Sequence, residues 1–395
     1  MIKIEQPQVV SDLNEVRLET FVTIDGKRSK IWFSVDKEYE DYLCWERSDA
    51  YVIAVLNYAM RNGHDIECDA PITEELYYNI ETYLIDALVK FNNHFYRTKI
   101  KATIINDKLP CAGAVGTGIS CGVDSLHALA KQTKLKYNSH NITHLTFNNV
   151  GSHGEGEKAQ NLYRERLKRP KRFAEEYGFK FVCSNSNLMD VIEQNHFLSH
   201  TYSSMFPVYC LQKLYSIYYY ASAGYKYSEF SLIDIESRCS GSYEMLSLPL
   251  LSTHNLRIYS EGEGMTRMDK IKTIVDYPPS YKYLNVCLEE GNNCNKCEKC
   301  IRTLLGIDAL GKLDYYSEVF DIEYYKKNKR WFLVQLLKYK AANKHDYIEL
   351  YPYFKKDIDI WIRLKVLPFQ FLTLIPRSVR KSSFGQAIKS VLLKK

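Results

Sequence analysis

Several widespread nucleotide-binding and membrane signatures are missing from this sequence of 395 residues. No Gly-x-x-x-x-Gly-Lys-Ser/Thr motif occurs, which excludes a Walker A phosphate loop. Gly116, Gly118 and Gly122 do not follow the Gly-x-Gly-x-x-Gly spacing, which excludes the dinucleotide-binding fingerprint. No uninterrupted apolar run reaches the roughly 18 residues that a transmembrane helix needs.

The start of the chain, MIKIEQPQVVSDLNEV, has neither the basic lead nor the apolar core of a secretory signal. The eleven cysteines are an odd number, which favours reduced thiols and a metal site over a disulfide framework. We therefore expect a cytoplasmic protein.

The net charge of +6 is concentrated in one segment. Between Trp361 and Lys395 there are eight basic residues and no acidic one, so the rest of the chain is near −2 (6 minus 8). Nucleic acid is therefore not an expected partner of the main body. The segment also contains bulky apolar residues, with Pro368 and Pro376 between them. Two interpretations stay open: contact with an anionic membrane surface or a partner, and an ordinary packed terminus.

The pattern of apolar residues divides the chain into three parts. Residues 1–105 are typical of an N-terminal α+β module, with a hairpin around Asp25–Lys27, a helix closed by Gly63 and a further helix. Residues 314–395 are typical of a helical, basic C-terminal extension. We expect these flanking parts to pack, or to contact a protein acceptor or partner, and the oligomeric state stays open.

The central part, residues 106–313, alternates short apolar runs with longer helical ones. This predicts an α/β domain on a parallel five-stranded sheet with helices on both faces, whose ligands bind at the carboxyl ends of the strands. The predicted helices are Glu157–Tyr177, ended by Gly178, and Ser203–Ala223, ended by Gly224. The predicted strands are Ala114–Ile119, Thr143–Asn148, Phe179–Cys183, Phe230–Ile235 and Leu256–Ser260.

The stretch AVGTGISCGVDSLH, residues 114–127, has the layout of a strand, a turn of small residues and a helix start. Such a turn presents backbone N–H groups and the positive end of a helix to an anion. Ser120 and Ser125 add hydroxyl donors, and Asp124 is compatible with a phosphate if Mg²⁺ accompanies it. A plain strand–helix turn with a helix N-cap is the alternative interpretation.

Four of the cysteines form a cluster with the spacing Cys-x₆-Cys-x₂-Cys-x₂-Cys. Thiolates at Cys-x₂-Cys spacing converge on one tetrahedral ion, and four sulfurs leave no open position, so the metal would be structural. Zinc is favoured, and an iron–sulfur cluster is the alternative. The predicted ligands are Cys287, Cys294, Cys297 and Cys300.

The turn resembles the Ser-Gly-Gly-x-Asp-Ser loop of the PP-loop ATP pyrophosphatases, with Cys121 in place of one glycine. Together with the cysteine cluster and the preceding MTRMDKIKTI, it is similar to the 7-cyano-7-deazaguanine synthase family over roughly residues 112–311. The resemblance implies an adenine nucleotide alpha-hydrolase-like fold and a carbon–nitrogen ligase. Such an enzyme adenylates a carboxylate with release of pyrophosphate, and ammonia or an amine then displaces AMP to give an amide. When ammonia is the nucleophile, a second round of ATP-dependent activation dehydrates the amide to a nitrile.

The same resemblance implies ATP, Mg²⁺ and Zn²⁺ as cofactors. Minimal synthases lack the flanking parts found here, which implies a modified or larger acceptor and leaves the carboxylate unspecified. The implied catalytic residues are Asp124, Ser125, Arg267 and Lys270, and surface salt bridges are the alternative role of the last two. The implied nucleotide-binding residues are Ser120, Cys121, Gly122, Val123, Asp124, Ser125, Thr146, Phe147 and Asn148.

Two other functions stay open. A PP-loop enzyme that transfers sulfur to tRNA needs a reactive cysteine outside the metal site, for which Cys239 and Cys121 are candidates. A degenerate nucleotide-binding scaffold is the other possibility, because a side chain at residue 121 fits the turn poorly if its φ is positive. His153, in a loop of small residues, is a further candidate functional residue, whereas His127 is interpreted as packing a helix.

Overall fold

The chain is described by a computed structural model that covers residues 1–12, 15–222, 227, 230–232, 239–287 and 292–374, with side chains to Gln370. It divides into two compact units, Met1–Met265 and Thr266–Lys395. These units do not coincide with the predicted division at residues 105 and 313.

The first unit carries every strand of the described residues, together with eight of their α-helices. A π-helical turn, Ile80–Leu84, joins α2 to α3. The strands are β1 (Ile2–Ile4), β2 (Gln8–Ser11), β3 (Glu15–Ile24), β4 (Lys27–Asp36), β5 (Ile66–Cys68), β6 (Ile72–Thr73), β7 (Ile100–Lys101), β8 (Ile104–Ile105), β9 (Ala114–Gly118), β10 (His144–Asn148), β11 (Lys180–Ser186), β12 (Tyr215–Ala221) and β13 (Arg257–Glu261). The helices are α1 (Asp49–Asn62), α2 (Glu74–Asn79), α3 (Ile85–Phe91), α4 (Val123–Gln132), α5 (Gly156–Tyr177), α6 (Leu188–Val191), α7 (His196–Cys210) and α8 (Glu244–Leu250).

Eleven of these strands form one mixed sheet in the order β13-β12-β9-β10-β11-β4-β3-β1-β5-β7, with β2 paired to β3. The neighbours from β13 to β11 pair in parallel, whereas β4 pairs antiparallel with β11. The predicted α/β class is confirmed. A parallel five-stranded sheet is not confirmed as such, because the parallel strands are one section of a larger mixed sheet that the N-terminal strands extend. β6 and β8 form a separate parallel pair.

Local turn chemistry explains the elements that were predicted well. β3 and β4 are joined by Asp25 and Gly26, whose φ values of 49° and 84° suit the two-residue turn that matches strand twist. α1 ends at Gly63 and α5 ends at Gly178, with φ values of 68° and 73°. Left-handed φ at the residue after a helix favours glycine, so these two predicted helix ends are confirmed.

The predicted helix Ser203–Ala223 is wrong in its second half. α7 ends at Cys210, and Tyr215–Ala221 forms β12, between β9 and β13. The sequence YSIYYYA is a short run of aromatic and β-branched residues, and periodicity alone does not distinguish such a run from a buried helix. The predicted strand Phe230–Ile235 lies partly outside the described residues, and Phe230–Leu232 are not in a strand.

The core of the first unit holds the sheet against two helices. α1 packs on α7, and residues 50–56 of α1 are all buried. Phe206 of α7 meets Phe33 of β4 edge-on at 6.0 Å between ring centroids and Tyr51 of α1 at 5.4 Å. Because α7 leads directly into β12, this packing fixes the strand that borders β9.

The second unit is helical over its described residues. Its predicted helical character is thus seen to residue 374, and residues 375–395 lie outside the described part. Within the described residues, no helix combines the length and the apolar composition that crossing a membrane requires. The helices are α9 (Arg267–Ile274), α10 (Pro279–Tyr283), α11 (Glu298–Ala309), α12 (Ile322–Lys327), α13 (Lys329–Ala341), α14 (His345–Phe354) and α15 (Ile360–Leu374).

Candidate phosphate loop and metal centre

The turn between β9 and α4 lies where the strand order of the parallel section reverses. Gly118 pairs with Thr146 of β10 on one side, and Thr117 pairs with Tyr219 of β12 on the other. The chain reaches β10 and β11 on the first side, and β12 and β13 on the second. Ligands of open α/β sheets bind at such a switch point, outside the carboxyl ends of the strands.

Two serines close this turn on itself. Ser125 Oγ donates to the Gly122 carbonyl at 3.1 Å and accepts from the Ser120 N–H at 3.3 Å. Ser120 Oγ lies 3.4 Å from Ser125 Oγ and accepts from the Gly122 N–H at 3.3 Å. Ser125 is buried and Ser120 is exposed. Ser125 therefore holds the shape of the turn, while the Ser120 side chain faces solvent.

Cys121 adopts a backbone conformation that favours glycine. Its φ is +59°, in the left-handed region, although its side chain is fully buried. The conformation costs roughly 1–2 kcal/mol for a residue with a Cβ. Burial raises the pKa of the Cys121 thiol to about 12, so the thiol stays protonated at neutral pH.

The next residues begin α4. Val123 is buried, and the half-buried Asp124 lies in the first turn, where the helix dipole favours a carboxylate. Gly122 is the N-cap, with an extended backbone. All six predicted residues from 120 to 125 thus belong to one turn and the start of one helix.

The predicted residues on β10 are packed into the sheet. Thr146 Oγ1 lies 2.7 Å from the Tyr218 hydroxyl, and Asn148 Oδ1 accepts from Ser184 Oγ at 2.7 Å. The Phe147 ring stacks on Tyr163 at 5.5 Å between centroids. Their side chains are engaged with neighbouring strands and with α5, which leaves their role in nucleotide binding a prediction.

The two histidines near the turn differ in environment. His127 is fully buried on α4, with Nε2 3.5 Å from Glu261 Oε1. His153 lies edge-on to Phe147 and Tyr163 at 5.5 and 5.4 Å. Burial and the nearby Arg166 and His196 lower the pKa of His153 to about 4, so it is neutral at pH 7.

Arg267 and Lys270 both lie on α9 of the second unit. This helix begins with a capping box, in which Thr266 and Asp269 bond reciprocally to each other's backbone N–H groups. Arg267 is half-buried, and Lys270 is fully buried. The capping box fixes where the helix begins, while a role for either cation on phosphates stays a prediction.

The four predicted cysteine ligands are brought together in the second unit. Their sulfur atoms all lie within 4.8 Å of one another, with 3.9 Å between Cys287 and Cys297 and 3.9 Å between Cys294 and Cys300. Zn–S bonds of about 2.3 Å in a tetrahedron require sulfur separations of about 3.8 Å. The donor set and its spacing therefore suit one metal ion such as zinc.

Backbone N–H groups support the sulfur atoms. The Cys297 N–H donates to Cys294 Sγ at 3.2 Å, and the Cys300 N–H donates to Cys297 Sγ at 3.5 Å. Burial raises the pKa of the Cys294 thiol, but the N–H donors of Lys296 and Cys297, together with hydrogen bonds from the Cys287 and Cys297 thiols, lower that pKa to about 7. The site thus favours at least one thiolate, the form that binds metal.

Asn293 was missed by sequence reasoning. Its buried side chain accepts from the Val286 N–H at 2.8 Å and donates to the Leu284 and Val319 carbonyls, each at 2.9 Å. It thereby fixes the chain on both sides of the cysteine segment. Its place one residue before Cys294 was the only available signal, because its partners are distant in sequence.

The comparisons found no protein-family model, no curated protein and no solved structure that matches this chain. The resemblance to PP-loop enzymes therefore rests on the residues of the turn and of the cysteine segment.

Proposed function

We propose that this chain is a PP-loop ATP pyrophosphatase that adenylates a carboxylate and then joins ammonia or an amine to it. One observation carries the proposal. The Ser120–Ser125 turn lies at the switch point of the parallel strands, and residue 121 has the left-handed φ that favours glycine, the residue of the family's loop. A backbone that keeps this conformation in spite of a cysteine is the kind of strain found at functional sites. The positive φ also meets the condition under which Cys121 fits the turn poorly, as the scaffold alternative requires. Asp124 and Ser125, which the family's loop also has, favour the enzyme over the scaffold.

In this proposal the turn would bind the pyrophosphate part of ATP through backbone N–H groups and the Ser120 hydroxyl. Ser125 would keep the turn in shape, and Asp124 would hold Mg²⁺, which offsets phosphate charge. A carboxylate oxygen of the substrate would attack the α-phosphorus while the bond to the pyrophosphate oxygen breaks. Ammonia or an amine would then attack the acyl carbon, and AMP would leave. Positioning and charge stabilisation suffice for both steps.

The remaining predicted residues have supporting roles in this proposal. The carboxyl end of β10, Thr146–Asn148, would lie beside the adenosine. Arg267 and Lys270, on α9 of the second unit, keep only the role that the family resemblance implies for them. The four cysteines would hold a structural zinc ion, because a closed Cys₄ shell has no position for substrate. In the cytosol, ATP would be available and reducing conditions would keep the cysteines as thiols.

The sulfur-transfer alternative is disfavoured by the cysteines that it would use. The Cys121 thiol is buried with a pKa of about 12, and Cys239 is also buried. Sulfur transfer depends on an accessible thiolate.

The test is to incubate the metal-intact protein with ATP, Mg²⁺, 7-carboxy-7-deazaguanine and ammonia, and to identify the products by mass spectrometry. We expect AMP, pyrophosphate and an amide or nitrile. Asp124→Asn should lower AMP formation at least about a hundredfold, since it removes the carboxylate that would hold Mg²⁺ at the phosphates. Asp86→Asn, at an exposed carboxylate on α3, is the matched control and should leave the rate unchanged.

The outcomes separate the chemistry from the substrate. AMP and pyrophosphate without a modified deazaguanine would keep the adenylation and assign it to another carboxylate. Failure of the wild-type protein to bind ATP in equilibrium dialysis would overturn the proposal in favour of a scaffold.

A further inference from the structure

One helix of the second unit is apolar on both of its faces. Ile362 and Val366 of α15, four residues apart, are 3% and 0% exposed and pack into the unit. A helix packed on one side ordinarily turns polar residues to solvent on the other. On α15 the opposite face instead carries Ile360, Trp361, Leu364 and Leu367, which are 62%, 66%, 44% and 40% exposed.

Two cations flank this apolar stripe. At about 100° of rotation per residue, Arg363 and Lys365 fall on opposite sides of the line through Ile360 and Leu364. Both side chains are exposed, and neither forms an ion pair with another described residue. An apolar stripe with basic flanks and a tryptophan is typical of helices that lie in a membrane interface. We call these six residues, 360, 361, 363, 364, 365 and 367, the α15 face.

A groove runs beside the α15 face within the second unit. It has a volume of about 330 Å³, and its lining includes the apolar Leu337 of α13 and Leu367 of α15. The lining also includes Arg363 and Lys340 of α13, whose ammonium lies 4.5 Å from the Tyr351 ring. A lining of apolar side chains and two cations suits a molecule that has a hydrocarbon chain and an anionic head.

We propose that the α15 face binds the surface of an anionic phospholipid bilayer. Charge carries the choice of this partner. No acidic residue follows Asp359, and residues 361–395 contain eight basic ones. Each lysine or arginine near an anionic membrane surface contributes about 1 kcal/mol to binding.

The same charges disfavour two other occupants of the face. In a twofold dimer through the α15 face, Arg363 and Lys365 of one copy would meet the same cations of the other. Residues 375–395 have six basic residues and no acidic one, so covering the face with them would also bring like charges together. The proposal is independent of the proposed function, because it uses neither the turn nor the cysteine ligands.

The test is co-sedimentation of the full-length protein with two kinds of vesicle. One contains phosphatidylcholine alone, and the other contains about one third phosphatidylglycerol. We expect at least about tenfold tighter binding to the anionic vesicles, and weaker binding as salt screens the charges. Tryptophan emission should shift to shorter wavelength on binding. Trp361→Phe should lose most of that shift while it retains binding.

Variants locate the surface. Trp361→Ala with Leu364→Ala should weaken vesicle binding at least about tenfold, because both lose apolar area that the bilayer would bury. Trp331→Ala with Ile348→Ala removes exposed apolar side chains from α13 and α14 of the same unit and should leave binding unchanged. Arg363→Gln with Lys365→Gln should weaken binding about 25-fold, or about fivefold for each cation.

Equal binding to both vesicle types, or binding that none of the α15 variants weakens, would overturn the proposal. So would a dimer in sedimentation equilibrium that Trp361→Ala dissociates while the wild-type protein ignores vesicles, since the face would then belong to a second copy. Circular dichroism of each variant identifies a loss of folding.

Discussion

Among the described residues, the turn after β9 and the cysteine site each contain one non-glycine residue with left-handed φ. Cys121 has a φ of 59°, and Asn295 has a φ of 60°. Asn295 suits this conformation, because asparagine tolerates it and its side chain bonds locally, donating to the Asn293 carbonyl at 3.1 Å. Cys121 has no such local preference and is buried instead. The cysteine site is thus consistent with its local sequence, whereas the turn is held in its conformation by the surrounding sheet and helix.

This difference predicts what each site depends on. The cysteine segment depends on residues within it, on the hydrogen bonds of Asn293 to Leu284, Val286 and Val319, and on the ion that it can bind. The turn depends on β9 and α4, which flank it, and on β12, which follows much later in the chain. The following changes test that contrast.

Loss of one cysteine ligand should have the largest effect. Cys300→Ser should reduce bound metal from about one ion per chain to near zero, because three thiolates hold zinc far less tightly than four. Structural zinc contributes about 10 kcal/mol or more in zinc-finger peptides, so the thermal midpoint of the second unit should also fall. Elemental analysis measures the bound metal, and calorimetry measures the thermal midpoint. Cys111→Ser, at an exposed cysteine of the first unit, is the control. Full retention of metal by Cys300→Ser would contradict the assignment.

Acid should destabilise the first unit through buried histidine. Burial, with a smaller contribution from His196, lowers the pKa of His200 to about 4, and its Nδ1 lies 2.9 Å from the Tyr220 hydroxyl. Unfolded histidine titrates near about 6.5, so between about pH 6.5 and 4 the unfolded chain binds more protons and stability falls as pH falls. The full difference is about 3 kcal/mol.

Urea unfolding at several pH values between about 7.5 and 5 measures this slope. His200→Gln should reduce the slope without abolishing it, because the replacement does not titrate while His153, whose pKa is also lowered to about 4, still contributes. His94→Gln, at an exposed histidine of the same unit, should leave the slope unchanged. Equal slopes for all three proteins would contradict the assigned cause.

An added methyl group at Gly116 should lower the free energy of unfolding by about 1–3 kcal/mol more than one at Gly306. A Cβ at Gly116 of β9 would lie 2.7 Å from Tyr215 and 2.9 Å from Tyr218, both buried on β12. Gly116→Ala should therefore destabilise the first unit. A Cβ at Gly306 of α11 would meet only the end of the flexible Ile271 side chain closely, at 2.5 Å. Because alanine also favours helix by about 1 kcal/mol, Gly306→Ala should be nearly neutral. Equal shifts of the urea midpoint for Gly116→Ala and Gly306→Ala would contradict this difference in packing.

The smallest expected effect concerns the strain itself. Cys121→Gly should be more stable than Cys121→Ala by about 1 kcal/mol, because only glycine is free of the left-handed penalty. At residue 295, the stability of Asn295→Gly should differ less from that of the wild-type protein, because asparagine already tolerates left-handed φ. Denaturant unfolding of the four proteins decides it. Equal stability of the glycine and alanine variants at residue 121 would mean that the turn relaxes.

Local signals in the sequence predicted much of this molecule. The Asp-Gly turn, the glycines that end α1 and α5 and the cysteine spacing each act within a few residues. β12 escaped prediction because its tyrosine-rich run has no decisive period. The pairing of β4 with β11 escaped because no local pattern encodes a contact between distant strands. The sign of φ at Cys121 likewise depends on the packing around it.

The β4–β11 pairing has a consequence for how the protein is made. Val35 pairs with Ser184, which follows it by 149 residues (184 minus 35). A ribosome that adds about 5–20 residues per second needs roughly 7–30 seconds to supply that partner. Until then the hairpin has an unpaired strand edge, which is a template for aggregation. A fragment that stops near residue 105 would keep that edge permanently, so the full length of the first unit is the shortest piece we expect to express cleanly.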